Sequence, residues 1–113
     1  MSKTLQERAA WDYVKSLPES ERFELVALNP SLLIGPNLNK DSENVAWLAV
    51  KQFFTGKTPP LNCKFSWVDV KDAARAHLLA VKVPEAAGKR FLLNGWTVWI
   101  PEMVEMYNKE FGP

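Results

Sequence analysis

The sequence predicts an α/β fold on a mainly parallel sheet. Short apolar runs bounded by turn residues alternate with longer stretches whose apolar residues recur at helical spacing. The intervals between the runs are long enough for the crossover helices that parallel strands require. The composition, 47% hydrophobic and 24% charged, is that of an ordinary globular chain and gives no reason to expect disorder. At 113 residues the chain is one domain or part of one, large enough to bury roughly two thirds of its unfolded surface.

The first element is a helix. Leu5, Ala9, Tyr13 and Leu17 form one apolar stripe, with Ala10 and Val14 beside it, ending before Pro18. Phe23-Glu24-Leu25-Val26-Ala27-Leu28 reads as a strand covered on both faces, closed by Asn29-Pro30. Pro30 and Pro36 keep the following segment from turning helical early. Asp41 or Ser42 would cap a second helix with Val45, Leu48, Ala49 and Phe53 inward and Gly56 as its stop. The stretch from Lys57 to Lys64, with Pro59-Pro60, reads as a loop.

Phe65-Ser66-Trp67-Val68 is a short strand, and Asp69 with Asp72 has the spacing of a capping box. The helix behind it would place Val70, Ala73, Ala74, His77, Leu78 and Val81 inward and stop at Pro84. Lys89 to Leu93 is the next strand, ended by the turn pair Asn94-Gly95. Pro101 suits the first turn of a last helix with Ile100, Met103, Val104, Tyr107 and Phe111 inward. An α/β chain that opens on a helix lacks a strand to pair with its first one, so both ends look cut.

Several functions are disfavoured. A net charge of +1 with dispersed signs gives no electrostatic footprint for nucleic acid or an anionic membrane. No apolar run approaches the ~20 residues that span a bilayer. The charged, amphipathic start has no apolar signal region, and the single Cys63 suits a reducing compartment, so the expected location is cytoplasmic.

No metal-ligand spacing or phosphate-binding loop stands out. Gly35, Gly56, Gly88, Gly95 and Gly112 lie too far apart for a Gly-rich dinucleotide turn and read as turns or helix ends. The one histidine, His77, is better read as a helix imidazole hydrogen-bonded to a backbone carbonyl than as a base. Cys63 lacks the setting of a reactive thiolate. Trp11, Trp47, Trp67, Trp96 and Trp99 read as core or subunit contacts. Asp69 and Asp72 read as a cap and a structural ion-pair partner.

Four segments in order carry a family likeness. Ser2-Lys3 looks like the end of a Tyr-x-x-Ser-Lys motif whose Tyr would fall before Met1. Phe23 to Pro36 is similar to a strand ending in Asn-Pro-x-x-x-x-Gly-Pro. Phe65 to His77 is similar to Val-Asp-Val-x-Asp-Val-Ala-x-Ala-His, and Ala87 to Leu93 to a last core strand. Together they resemble the extended short-chain dehydrogenase/reductases of the NAD-dependent epimerase/dehydratase superfamily, in the dihydroflavonol reductase-like and cinnamoyl-CoA reductase-like branch.

The resemblance implies that residues 1–113 are one partial domain. This would be the C-terminal part of a Rossmann-like, doubly wound parallel sheet with substrate-side helices, the dinucleotide-binding half being absent. The complete protein would be an oxidoreductase that reduces a carbonyl or oxidises a secondary alcohol with NADP or NAD. Lys3 would be catalytic, holding the nicotinamide ribose and lowering the pKa of the tyrosine acid/base. Pro30, Ser31 and Leu32 would contact the nicotinamide end of the cofactor, and Asn37 to Asn44 would begin the mobile substrate-side segment. Ser31 stands where Gly or Thr is more usual.

The isolated chain would be inactive, would bind no cofactor tightly, and would self-associate or recruit a partner over an open sheet edge. The alternatives are a non-catalytic truncated interaction module, or the epimerase or hydroxysteroid dehydrogenase branches of the same skeleton.

Overall fold

A computed structural model describes residues 2–36, 45–57 and 61–112. In chain order these form α1 (Ser2–Ser16), β1 (Ala27–Pro30), β2 (Leu32–Ile34), α2 (Val45–Phe54), β3 (Lys64–Asp69), α3 (Val70–Lys82), β4 (Arg90–Leu93), β5 (Trp96–Trp99) and α4 (Ile100–Phe111). Single 3-10 turns at Glu19–Glu21 and Pro84–Ala86 follow α1 and α3.

The strands form two sheets. β1 pairs in parallel with β4, in the register Ala27 to Arg90 and Pro30 to Leu93. β2 pairs in parallel with β3, and β3 pairs antiparallel with β5, giving the order β2-β3-β5. The chain passes from the first sheet to the second twice, at Ser31 and at Asn94-Gly95. Both crossings are pinned: Ser31 N–H donates to Leu93 O at 2.9 Å and Gly95 N–H to Trp67 O at 2.8 Å. A side chain on Gly95 would press its Cβ to within 3.2 Å of that same Trp67 oxygen.

β2 and β5 arise in stretches for which the sequence predicted no element. β2 is three residues held between Pro30 and Pro36, too short for periodicity to register. β5 alternates Trp96-Thr97-Val98-Trp99, aromatic and β-branched residues suited to a pleated surface, and that was its one available signal. β1 begins at Ala27, four residues later than the apolar run at Phe23. Its ladder partner starts only at Arg90, after the Gly88 turn, so pairing sets the strand and Phe23 is left exposed.

The core belongs to the second sheet. Val50 and Phe53 of α2, Trp67 of β3 and Ile100 of α4 form one buried cluster, with Ile34, Cys63 and Val98 packed against it. Phe54 stacks on Tyr107 at 4.0 Å, joining α2 to α4. Pro101 occupies the first turn of α4 as expected, whereas Phe111 is exposed. The expected caps Asp41 and Ser42, the segment Asn37 to Asn44 and the pair Pro59-Pro60 lie outside the described residues.

α3 starts where its cap predicted. The Asp69 carboxylate accepts from the Lys71 N–H at 2.7 Å. Asp72 is exposed and forms no ion pair among the described residues, so it has no partner to match the expected structural role. Gly35 has φ +145°, and a Cβ there would lie 2.6 Å from Val70 Cγ1; a glycine is what lets the β2 end approach the start of α3.

The packed face of α3 shares Ala73 with the predicted one and otherwise differs from it. Ala73 is buried and Ala76 and Ala80 are half-buried, whereas Val70, Leu78 and Val81 are exposed. Small residues let the helix lie close to the two-stranded sheet, and closeness decides the face.

α1 is also rotated from its expected orientation, with Leu5, Ala9 and Tyr13 exposed and Glu7, Trp11, Val14 and Leu17 half-buried. Glu7 Oε1 accepts from Arg90 Nε at 2.7 Å and from Trp11 Nε1 at 3.4 Å. The Arg90 hydrogen bond is the main reason the Glu7 carboxyl sits below its ordinary 4.5; burial opposes the shift, and the Trp11 indole, the Arg90 charge and the Asn29 amide add to it. A folded pKa below the unfolded one stabilises the fold above pH 4.5 and loses that effect as pH falls through the folded value. Glu7→Gln is therefore expected to lower Tm modestly at neutral pH, with the gap closing well below pH 4.5. Thermal melts across that range check this, and a gap that stayed constant would show that the ion pair is not its cause.

Candidate active site

Where β1 and β4 end and the chain leaves the first sheet, a cleft opens between the sheets. Its volume is about 390 Å³, and Asn29, Pro30, Ser31, Ser66, Leu92, Leu93 and Asn94 line it. Open α/β sheets bind ligands at this place, outside the carboxyl ends of parallel strands. The volume lies within the range of small-molecule sites.

Ser31 Oγ is buried and has no hydrogen-bond partner. Asn29 Nδ2 is likewise buried and makes no geometrically complete hydrogen bond, although it lies near enough to the Glu7 carboxylate to draw its pKa down slightly. An unsatisfied buried polar group costs about 1–3 kcal/mol, so such atoms commonly mark where a ligand or water binds. Across the cleft, Thr97 Oγ1 lies 2.8 Å from Ser66 Oγ and receives a longer 3.4 Å contact from Asn94 Nδ2.

Of the residues singled out from sequence, Pro30 and Ser31 line this cleft, while Leu32 opens β2 immediately beside it and is exposed. Lys3 lies exposed in the first turn of α1, and the direction of that helix places it. Trp11, Val14 and Lys15 flank a groove with Leu25, Ala87 and Gly88, near the starts of β1 and β4, and Glu7 reaches Arg90. α1 therefore runs antiparallel to the strands. Lys3, one turn before Glu7 and about 6 Å further along the axis, lies on the strand-end side of Glu7 and is exposed.

Neither tyrosine of the chain accompanies it. Tyr13 is ten residues along α1, about 15 Å away, and Tyr107 is stacked in α4. Sequence reasoning missed Asn29, Ser66 and Asn94. Their signal was positional: Asn29 and Asn94 sit by the ends of β1 and β4, and Ser66 lies within β3, places that only the sheet pairing brings together.

The other candidates take structural places. His77 Nδ1 lies 2.7 Å from Ala73 O, the expected backbone hydrogen bond, in a part-buried setting beside Leu25 and Leu28, although the residue as a whole is exposed. Cys63 is half-buried against the core, and its carbonyl accepts from Ile100 N–H at 3.0 Å. Trp67 is the core tryptophan; Trp96 and Trp99 are partly exposed, with Lys64 Nζ 5.2 Å over the Trp99 ring. Among the described residues no group of three His, Cys, Asp or Glu side chains is arranged to hold a metal ion, and no helix is long and apolar enough to cross a membrane.

Known proteins share this fold. Residues 1–94 match the NAD dependent epimerase/dehydratase family. Cinnamoyl-CoA reductase CAD2 of Medicago truncatula is 38% identical over 94 residues, covering 83% of this chain and 27% of that protein. The crystal structure of Gre2 from Candida albicans in complex with NADPH superposes with TM-score 0.79 at 32% identity, covering 93% of this chain and 32% of that one. Yeast methylglyoxal/isovaleraldehyde reductase Gre2 complexed with NADPH gives TM-score 0.84 at 27% identity over 96% of this chain and 36% of its own. The chain thus spans about a third of the length of the relatives it matches. A family match over most of the sequence, together with the sheet pairing and the strand-end cleft, establishes that the chain belongs to the NAD dependent epimerase/dehydratase family.

Proposed function

We propose that this chain supplies the lysine-bearing, substrate-side part of an NADPH-dependent carbonyl reductase of the cytosol. The carrying observation is the unpaired Ser31 hydroxyl in the strand-end cleft, toward which the run of α1 directs Lys3. The relatives support the choice of chemistry: the structures of Candida albicans Gre2 and of yeast methylglyoxal/isovaleraldehyde reductase Gre2 hold NADPH, and a third relative is a cinnamoyl-CoA reductase.

Pro30, Ser31 and Leu32 would hold the nicotinamide end of the cofactor, which fits a cleft whose one buried hydroxyl lacks a partner. When bound, the nicotinamide supplies hydride to the substrate carbonyl. Lys3 would hold the ribose hydroxyls and, as an ammonium beside a phenol, would favour the phenolate of a group whose ordinary pKa is about 10. That phenol comes from outside these 113 residues, as does a Gly-rich pyrophosphate cradle. The unpaired edges of the first sheet would be covered by the segment that carries them.

This reading expects the chain alone to bind NADPH too weakly for fluorescence titration to reach a low-micromolar Kd. Joined to the cofactor-binding portion of a family reductase, it is expected to bind NADPH and consume it on adding a ketone or aldehyde. Low-micromolar binding by the chain alone would show that its site is complete without that portion. A well-folded joined protein that binds NADPH yet reduces no carbonyl would overturn the assignment.

A further inference from the structure

We infer that Glu7 is a positioning residue: its carboxylate ties α1 to both strands of the first sheet and so fixes where Lys3 is held beside the strand ends. The inference deepens the reductase reading and rests on it only where turnover is measured.

α1 has little else to hold it in register. None of its residues is buried, and its apolar contact is the groove where Trp11 and Val14 meet Phe23, Leu25 and Ala87. Apolar contact is non-directional, so a helix resting on it can slide. Among the described residues, the other side-chain hydrogen bonds of α1 stay within the helix or come from Arg22. Glu7 alone reaches the sheet. Its Oε1 accepts from Arg90 Nε at 2.7 Å, and the carboxylate lies close enough to the Asn29 amide to be stabilised by it.

These two contacts fall on one face of the sheet. Ala27 stands opposite Arg90 and Asn29 opposite Leu92, whereas the alternate residues Leu28 and Phe91 line the groove against α3. α1 and α3 therefore cover opposite faces, and Glu7 grips its face at β1 and β4 together. Asn29 also lines the strand-end cleft beside Pro30 and Ser31. One carboxylate thus joins the helix that carries Lys3 to the strand that carries the cleft.

The pair with Arg90 is partly open to water and adds little to global stability. What it supplies is direction, since a charge-assisted hydrogen bond weakens steeply with poor distance and angle. Slipping α1 by one residue would carry Lys3 about 1.5 Å along the axis. A misplacement of about 1 Å can cost about 10²-fold in rate.

Pulsed electron–electron resonance between nitroxides at Lys3→Cys and Val81→Cys measures the placement directly. The sample is the full 113-residue chain with Cys63→Ala, diluted in excess unlabelled chain so that distances between copies vanish. Val81 is exposed on α3, so the measured distance spans the first sheet. Glu7→Ala and Arg90→Gln should each shift or widen a narrow distribution by at least about 1.5 Å while circular dichroism stays unchanged. An unmoved distribution in both folded variants would overturn the inference. In the joined enzyme, Glu7→Ala should lower kcat roughly tenfold with the carbonyl KM little changed. Added to Lys3→Ala it should cost nothing further, because a residue acting through Lys3 has then nothing left to act on. Losses that simply add would reduce Glu7 to a structural role and overturn the inference as well. A joined enzyme that reduces no carbonyl would sink the reductase reading instead, and the distance measurement would still decide the placement.

Discussion

In the joined enzyme, Lys3→Ala is expected to lower turnover by about 10²–10⁴, the range of a positioned acid–base contribution. Lys3 is exposed one turn before Glu7, whose carboxylate reaches Arg90 of the first sheet. Removing the ammonium would leave the partner phenol nearer its ordinary pKa of about 10 and the ribose hydroxyls without their donor. Both losses fall on the reacting centre, so turnover should drop further than carbonyl-substrate affinity does. Lys3→Arg should be intermediate, because it keeps the charge but spreads it over a planar group of different reach. Steady-state kinetics across pH provide the check. The alanine variant should need a more alkaline medium for its residual activity, and undiminished turnover would remove Lys3 from the site.

Lys3 was singled out in the sequence only through its neighbours, since a first-turn lysine is ordinarily a solvated surface charge. What the sequence carried well was local chemistry. The Asp69 cap, the helix-starting Pro101 and the positive-φ Gly35 are each decided by atoms within a turn of the chain or by one close contact. What it carried poorly was anything decided by pairing. Residues 32–34 and 96–99 become strands because β3 offers them a ladder, and Ala27 begins β1 because Arg90 lies opposite.

The helix faces failed for a related reason. α3 has apolar residues on several sides, and the one that packs is the side whose small residues permit close approach to the sheet. The candidate site shared this division. Pro30 and Ser31 belong to a contiguous motif and could be read, whereas Ser66 comes from β3 and Asn94 from the residue after β4, both far along the chain.

Alone in solution, the chain is expected to self-associate at micromolar concentration and to bind ANS. Its radius of gyration is 18.3 Å and its longest extent 63 Å, against about 13 Å for the radius of a compact domain of this length. Many large apolar side chains are left open. Val81 is 87% exposed, Leu92 73%, and Leu5, Tyr13, Phe23 and Leu78 each more than half. Contiguous patches beyond a few hundred Å² drive association.

The strand edge adds direction to this adhesion. Ala27 and Ser31 donate toward β4, so the alternate residue Leu28 turns its backbone groups to the opposite edge, where no described strand lies. An edge of this kind templates pairing with another chain. Val81→Glu combined with Leu92→Glu should shift the chain toward monomer and reduce ANS fluorescence severalfold, because both side chains already face solvent and their loss removes little packing. Light scattering decides the matter. A wild-type chain that ran as a monodisperse monomer, melted cooperatively and left ANS dark would show that the first sheet needs no partner, and would weaken the case that a missing segment covers it.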